Sequence, residues 1–312
     1  MKYFWWGFGI IAFITALVLL TSYICFRMAF YASKKSRTSA AACELPSGAA
    51  YEAQREKIKA WMQETRRLPY EEMSICSFDG LRLYAKFYQY SASAPIEILF
   101  HGYRSTAERD LSGGVQRCFH LGRSVLVVDQ RAAGKSEGNV ITFGINERRD
   151  CLSWVQHLIQ RFGENVKIYL GGISMGAATV VLASGMDLPK NVVGLVADCG
   201  YSSAPEMIKK TIKEMHLPVK LLYPFVKLGA KLYGRFDIEE ITPLQAVKNC
   251  KLPIVFFHGD ADDFVPCEMS KLLYEACPSK KKLVIVSGAA HGLCYPVDKD
   301  EYVRIIKEFS EE

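Results

Sequence analysis

Two short stretches of the chain, Gly172-Ile-Ser174-Met-Gly176 and Gly134-Lys-Ser136-Glu-Gly138, share the pattern Gly-x-Ser-x-Gly. A serine hydroxyl is a poor nucleophile until a base takes its proton. The useful serine must therefore be exposed, close to an imidazole and close to amide donors for a developing oxyanion. A sharp strand-to-helix turn meets these needs, and the flanking glycines Gly172 and Gly176 allow the backbone to make it. Ser174 has that setting, with the apolar run Val166 to Gly171 before it and a small-residue helix start, Ala177-Ala178-Thr179, after it. Ser136 does not. Its strand ends near Asp129, and Asn139-Val-Ile-Thr-Phe-Gly follows in place of a helix. A phosphate loop would need glycine where Asp129 stands. Ser136 is read as part of a structured loop and Ser174 as the nucleophile.

The base must be one of six histidines. His120, His157 and His216 fall in expected helices, and His101 and His258 each close a strand as His-Gly, where they shape loops at the active edge. His291, in Ser287-Gly-Ala-Ala-His-Gly-Leu-Cys-Tyr295, follows the last strand in a loop able to reach back to Ser174, and is the expected general base. The acid that orients it should come between the two in chain order. Asp198, Asp260, Asp262 and Asp263 all stand at strand ends, and spacing alone leaves the four open. Three acids as close as the last three repel one another unless a partner such as an imidazolium neutralises one.

The elements that must position these residues are legible from hydrophobic patterning. Runs at 96–100, 124–129, 166–171, 192–198, 252–259 and 282–288 read as buried strands, with helices such as 146–162 and 302–309 between or after them. Ahead of them, 73–78 and 81–90 flank Asp79-Gly80, a hairpin signal, and 51–67 reads as a helix. The pattern implies an α/β fold, a mostly parallel doubly wound sheet with an N-terminal antiparallel hairpin. From about 203 to 247 no strand is expected. Helical pieces interrupted by Pro218, Pro224 and Pro243 suggest a helical lid insertion over the strand ends. Its lysines, Lys209, Lys213, Lys220, Lys227 and Lys231, read as a solvated face opposite a packed one. A lid that touches lipid or an acyl substrate is the alternative.

The N-terminus is of another kind. Tyr3 to Phe26 carries no charge and is long enough to cross a bilayer as one helix. It is too long for a signal peptide and lacks a small-x-small cleavage site. Three parts are expected: an anchor over 1–33, outside the soluble core, a small-residue tether over 34–50, and the catalytic domain over 51–312. Arg27, Lys34, Lys35 and Arg37 outnumber Lys2 and the amino terminus, so the positive-inside bias expects a single-pass membrane protein with a cytoplasmic domain. Ten cysteines without a Cys-x-x-Cys pair fit reduced thiols better than a disulfide scaffold. A net charge of +6 spread along the chain, with no aromatic-interleaved basic run, gives no support for nucleic-acid binding.

Gly172-Ile-Ser174-Met-Gly176, His258-Gly-Asp-Ala-Asp262-Asp-Phe-Val-Pro266 and Ala289-Ala-His291-Gly292, in this order, resemble an α/β-hydrolase of the serine-aminopeptidase-like (S33) esterase group, including its bacterial membrane-anchored forms. The likeness runs from about Glu71 to the C-terminus. It implies the acid at the fifth position of His-Gly-x-x-Asp-x-x-Val-Pro, Asp262, with Asp198 as the main rival. It also implies an oxyanion hole from the backbone N–H groups of Tyr103 and Met175, and no metal or organic cofactor. The segment Asp129 to Gly138 resembles the group's Asp-x-Arg-Gly-x-Gly-x-Ser loop, with Ala132 in place of the usual glycine and Ala133 in place of a frequent histidine. The expected function is hydrolysis of small-molecule or lipid-like acyl esters through an acyl-enzyme. Peptidase, thioesterase and acyltransferase activities need the same residues. A non-catalytic scaffold at the membrane is the alternative of another class.

Overall fold

A computed structural model of the chain describes residues 2–34 and 44–311. Lys35, Arg37, Cys43 and most of the expected tether lie outside the described residues. The first helix is α1 (Lys2–Ala29), and α2 (Ala49–Arg67) precedes the sheet. The hairpin forms where Asp79-Gly80 predicts it, from β1 (Glu71–Cys76) and β2 (Arg82–Tyr88), with Gly80 at φ +88° in the turn. Strands then alternate with helices: β3 (Ile96–Phe100), α3 (Ala107–His120), β4 (Ser124–Asp129), α4 (Glu147–Phe162), β5 (Ile168–Ile173), α5 (Met175–Ser184) and β6 (Val192–Asp198). After β6 come α6 (Ala204–Glu214), α7 (Val219–Gly229), a π-helical turn at 230–234 and the short α8 (Pro243–Val247). The chain closes with β7 (Ile254–Gly259), α9 (Glu268–Ala276), β8 (Lys281–Val286), α10 (Cys294–Val297) and α11 (Lys299–Glu311).

The eight strands form one sheet in the order β1-β2-β4-β3-β5-β6-β7-β8. From β4 to β8 all neighbours are parallel, and β2 alone runs against the others, antiparallel to both β1 and β4. The central strands are buried throughout, as β3 and β7 show, which is why they read as continuous apolar runs rather than alternating ones. Trp154 of α4, Ile98, Leu126, Leu170 and Phe256 belong to one core cluster against the sheet.

Strand β3 leads to its neighbour β4 on one side, and the chain then returns to β5 on the other. The direction of winding therefore reverses between β3 and β5. The carboxyl ends of two such strands open a crevice, which is where doubly wound sheets place ligands. Phe100 pairs with Gly172 across that point, so the turn after β3 and the turn after β5 are neighbours.

The segment between β6 and β7 is helical, as expected, and its prolines explain its breaks. Pro218 precedes α7, Pro224 sits inside it, and Pro243 opens α8 behind a Thr242–Gln245 capping box. Lys209, Lys227 and Lys231 pair with Glu206, Glu239 and Asp237. His216 departs from the expected helix. It follows α6 with a left-handed φ of +58°.

The N-terminal helix departs further. Trp5–Ala29 is long and apolar enough to span a membrane, with mean hydropathy 2.3. Its early side chains are exposed, but from Ser22 onward one face is not. Phe26, Phe30 and Ala32 join a buried cluster with Phe143, Tyr201, Tyr223, Val226 and Phe236. The absence of a side chain at Gly229 admits this approach, because a Cβ there would meet the Ser22 carbonyl. After the helix, Ile141 N–H donates to the Phe30 carbonyl (2.8 Å) and Ala32 N–H to the Asn139 carbonyl (2.9 Å). The end of the expected anchor is thus part of a core. Sequence periodicity does not show this, since a helix apolar on all sides has no distinguishable packing face.

Candidate active site

Ser174 occupies the turn between β5 and α5 with φ +56° and ψ −117°, a conformation that costs on the order of 1–3 kcal/mol for a residue with a side chain. Two close approaches hold it there. A Cβ on Gly172 would meet the backbone of Gly176, and one on Gly176 would meet the Phe100 carbonyl of β3. The Ser174 N–H is tied to the Asp198 carbonyl at 2.8 Å. The tight packing thus keeps Ser174 in this turn although it is buried.

His291 Nε2 lies 2.8 Å from Ser174 Oγ, and its Nδ1 lies 2.7 Å from Asp262 Oδ2. Facing a carboxylate, Nδ1 carries the proton, which leaves Nε2 to accept from the serine hydroxyl. The structure therefore brings Ser174, His291 and Asp262 into one hydrogen-bonded chain, although 117 residues separate the first two in sequence.

Asp262 is held by four donors. Phe264 N–H (3.0 Å) and Val265 N–H (2.8 Å) donate to Oδ1, while His291 Nδ1 and His258 Nε2 (3.2 Å) reach Oδ2. Burial alone raises a carboxyl pKa, but hydrogen bonds from His258 and His291, with the Val265 N–H, outweigh it and hold Asp262 well below the ordinary carboxylate range. His258 is wholly buried. Its Nε2 also faces the Val265 carbonyl at 2.9 Å, and two acceptors require the proton on that nitrogen. Its Nδ1 contacts Ser270 Oγ at 2.6 Å.

The other three acids go elsewhere. Asp260 Oδ1 accepts from Gly288 N–H (2.6 Å), tying its turn to the loop that carries His291. Asp263 is exposed, and its carbonyl accepts from Lys210 Nζ at 3.0 Å. Asp198 is buried and accepts from the Tyr302 hydroxyl at 3.1 Å, and burial raises its pKa.

Met175 opens α5, so its N–H is one of that helix's unsatisfied donors. Gly102, just before Tyr103, lies against the serine: a Cβ there would sit 3.8 Å from Ser174 Oγ. His101 fixes the peptide between Gly102 and Tyr103. Its Nδ1 donates to the Gly102 carbonyl (2.8 Å) and its Nε2 accepts from Gln130 N–H (3.1 Å). In a trans peptide the following N–H points opposite to that carbonyl, so this bond sets the direction of the Tyr103 N–H. Asp110 Oδ2 accepts from Gly102 N–H at 2.9 Å on the other side.

Three supporting residues escaped the sequence reading. Asp110 lies within α3, where an acid near a helix start reads as a favourable charge for the dipole. Gln130 gave no chemical signal at all. Tyr51 donates its hydroxyl to the His291 carbonyl (2.8 Å) from 240 residues away, and burial pushes its phenol up to about 12. In the loop that carries Ser136, Ala132 adopts the left-handed φ of +60° without glycine's freedom. That costs about 1–2 kcal/mol, and Ala132 N–H bonds the Glu137 carbonyl (2.9 Å).

Two cavities meet at Ser174. One of about 410 Å³ runs past Tyr51, Trp61, Arg109, Asp110, His291 and Tyr295. The other, of about 200 Å³, lies between α1, α6 and α7. Among the described residues, Cys199, Asp262 and His291 are the one set of potential metal ligands within reach of one another. His291 and Asp262 already face hydrogen-bond partners there. All nine described cysteines are free thiols.

The serine aminopeptidase S33 family model matches residues 93–240, which include Ser174, Met175 and Tyr103 but end before Asp262 and His291. An uncharacterised protein of Bacillus subtilis, YqkD, is 29% identical over 190 residues, covering 61% of this chain and 62% of its own length. The chain thus spans about three fifths of that relative. An uncharacterised membrane protein of Saccharomyces cerevisiae, YNL320W, is 24% identical over 253 residues, 79% of this chain and 81% of its own. The solved structure of the Pyrococcus furiosus esterase Pf2001 superposes with a TM-score of 0.65 at 24% identity, covering 86% of this chain and 96% of that one. The eight-stranded sheet of this order has the α/β-hydrolase fold, and over residues 93–240 the chain is similar to the serine aminopeptidase S33 family.

Proposed function

We propose that the chain is a membrane-anchored serine hydrolase that cleaves carboxylic acyl esters. The observation that carries this reading is the continuous hydrogen-bonded chain from Ser174 Oγ through His291 to Asp262. In the first step Ser174 Oγ bonds to the carbonyl carbon as its proton passes to His291 Nε2. The oxyanion is taken up by the N–H groups of Met175 and Tyr103, and His291 returns the proton to the leaving alcohol. Water then repeats the sequence, releasing the acid and freeing Ser174. Asp262, fixed as an anion by its four donors, stabilises the imidazolium in both halves without taking its proton. Each step balances without a metal or an organic cofactor.

The two cavities support an ester with distinct sides, an acyl part and an alcohol part, on either side of the serine. Helix α1 supports attachment to a membrane, and the sequence bias of Arg27, Lys34, Lys35 and Arg37 favours a cytoplasmic domain. A fluorophosphonate probe is expected to label the full chain at Ser174 and to leave Ser174→Ala unlabelled. No labelling of the unsubstituted chain would return the protein to the class of non-catalytic scaffolds.

A further inference from the structure

The smaller cavity has an unusual wall. Cys25, Met28 and Ala29 of α1 form one side, Met207, Ile208, Thr211 and Ile212 of α6 another, and Ser174 lies in its lining. The hydroxyls along it are already used. Tyr103 donates to the Ala29 carbonyl (2.7 Å), Tyr201 to the Phe143 carbonyl (3.0 Å) and Thr211 to the Met207 carbonyl (3.0 Å). Apart from Ser174, the side chains offered to an occupant are thus hydrocarbon, aromatic ring, thioether and thiol.

The wall from α1 is pinned rather than resting loosely. Arg104 Nη2 donates to the Met28 carbonyl (2.7 Å) and the Tyr31 carbonyl (3.2 Å), and Tyr233 holds the Leu19 carbonyl (3.0 Å). Tyr103 therefore serves twice, its side chain holding α1 and its backbone facing the serine. Large apolar side chains at the same end stand in the open: Met28 at 54%, Met215 at 47%, Leu217 at 41% and Leu221 at 60% exposed. Lys213 and Lys220 are exposed beside them and make no ion pair among the described residues. Apolar side chains flanked by free lysines on a helical edge suit the boundary between acyl chains and anionic headgroups.

We propose that this cavity holds the fatty acyl chain of a membrane-resident ester, with the end of α1 as one of its walls. The chain enters from the bilayer between α1 and the α6–α7 pair, and its carbonyl comes to rest at Ser174. The alcohol part lies in the larger cavity, beside Arg109 and Asp110. This assignment rests on the hydrolase reading above. It gives the helix a second role, since the element that attaches the protein also shapes the space its substrate fills.

The test uses the full chain in mixed detergent–phospholipid micelles, with p-nitrophenyl acetate and p-nitrophenyl palmitate as substrates. Cys25→Trp fills the cavity from α1, and Ile212→Trp fills it from α6. In both, the ratio of kcat/KM for palmitate over acetate is expected to fall about tenfold or more, as for chain length sensed in an apolar pocket. An unchanged ratio in both variants overturns the acyl site. A fall in Ile212→Trp alone overturns the role of α1. Equal loss on both esters, repeated in the milder Leu222→Phe, also overturns the site, because a folding or chemical defect does not sort substrates by length. Failure of the hydrolase reading is separately visible, as absence of fluorophosphonate labelling in the unsubstituted chain.

Discussion

Ser136 and Ser174 satisfy the same five-residue pattern, yet their surroundings are opposite. The Ser136 hydroxyl is fully buried and fully used: it donates to the Asp129 carbonyl (2.5 Å) and accepts from Tyr84 N–H (2.8 Å). It joins the loop after β4 to strand β2 and has nothing left to offer. The Ser174 hydroxyl opens on two cavities and meets one bare imidazole nitrogen. The glycines differ as well. Those around Ser174 permit backbone to press on backbone, whereas Gly134 and Gly138 supply positive φ for a loop. The comparison teaches that the pattern selects only for a backbone able to turn sharply. In the proposed reaction, what sets Ser174 apart is which hydrogen bonds its hydroxyl is denied.

The contrast breaks first at the serines themselves. Ser174→Ala is expected to lower kcat on short p-nitrophenyl esters by about 10⁶-fold, while its thermal unfolding stays near that of the unsubstituted chain. If activity survives at the original rate, the two serines have been ranked wrongly. Asp262→Asn comes next, with a loss on the order of 10⁴-fold, because the amide favours the wrong imidazole tautomer. It also tests the electrostatics. A carboxyl whose pKa is lowered on folding adds stability above the ordinary carboxylate range and loses it as pH falls through the folded value. Below about pH 4, chemical denaturation of Asp262→Asn should therefore vary less with pH than that of the unsubstituted chain. Equal slopes would mean the carboxylate is not held as the geometry indicates.

The smallest effect belongs to the loop serine. Ser136→Ala leaves the Tyr84 N–H and the Asp129 carbonyl short of a partner, so stability should drop by about 1–3 kcal/mol. Ester kcat/KM should hold within a factor of two or so, as for substitutions that leave the transition state untouched. A large fall in turnover without a fall in stability would give Ser136 a part in the chemistry.

Much of the candidate site is legible in the sequence because its parts stand at strand ends. Ser174, Asp262 and His291 each follow an apolar run, and a parallel sheet brings the ends of such runs to one edge. The strands themselves were visible within a residue or two; β5 runs on to Ile173, past the apolar stretch, because Gly171 and Gly172 are in the ladder despite their small size. What stayed hidden depends on contacts between distant segments with ordinary local signals. His101 and His258 were recognisable as residues at the active edge, but their roles follow from Gln130, Ser270 and Val265, which nothing in the sequence connects to them. The docking of α1 was invisible for a similar reason. Its counterpart is Gly229, and one missing methyl group in a distant helix leaves no pattern in the first thirty residues.

That missing methyl makes α1 a ruler. From Trp5 to Thr21 the helix rises about 25 Å at 1.5 Å per residue, a little short of the roughly 30 Å hydrocarbon layer it would cross. With Ser22 already against Gly229, no slack remains to make up the difference. If α1 crosses a bilayer as proposed, the height of the body above it is set by helix length, and the remaining depth of hydrocarbon falls on the exposed side chains Tyr23, Ile24, Met28, Leu217 and Leu221. Adding or removing one turn of α1 would raise or lower the mouth of the cavity by about 5 Å, enough to carry it out of the lipid or deeper into it.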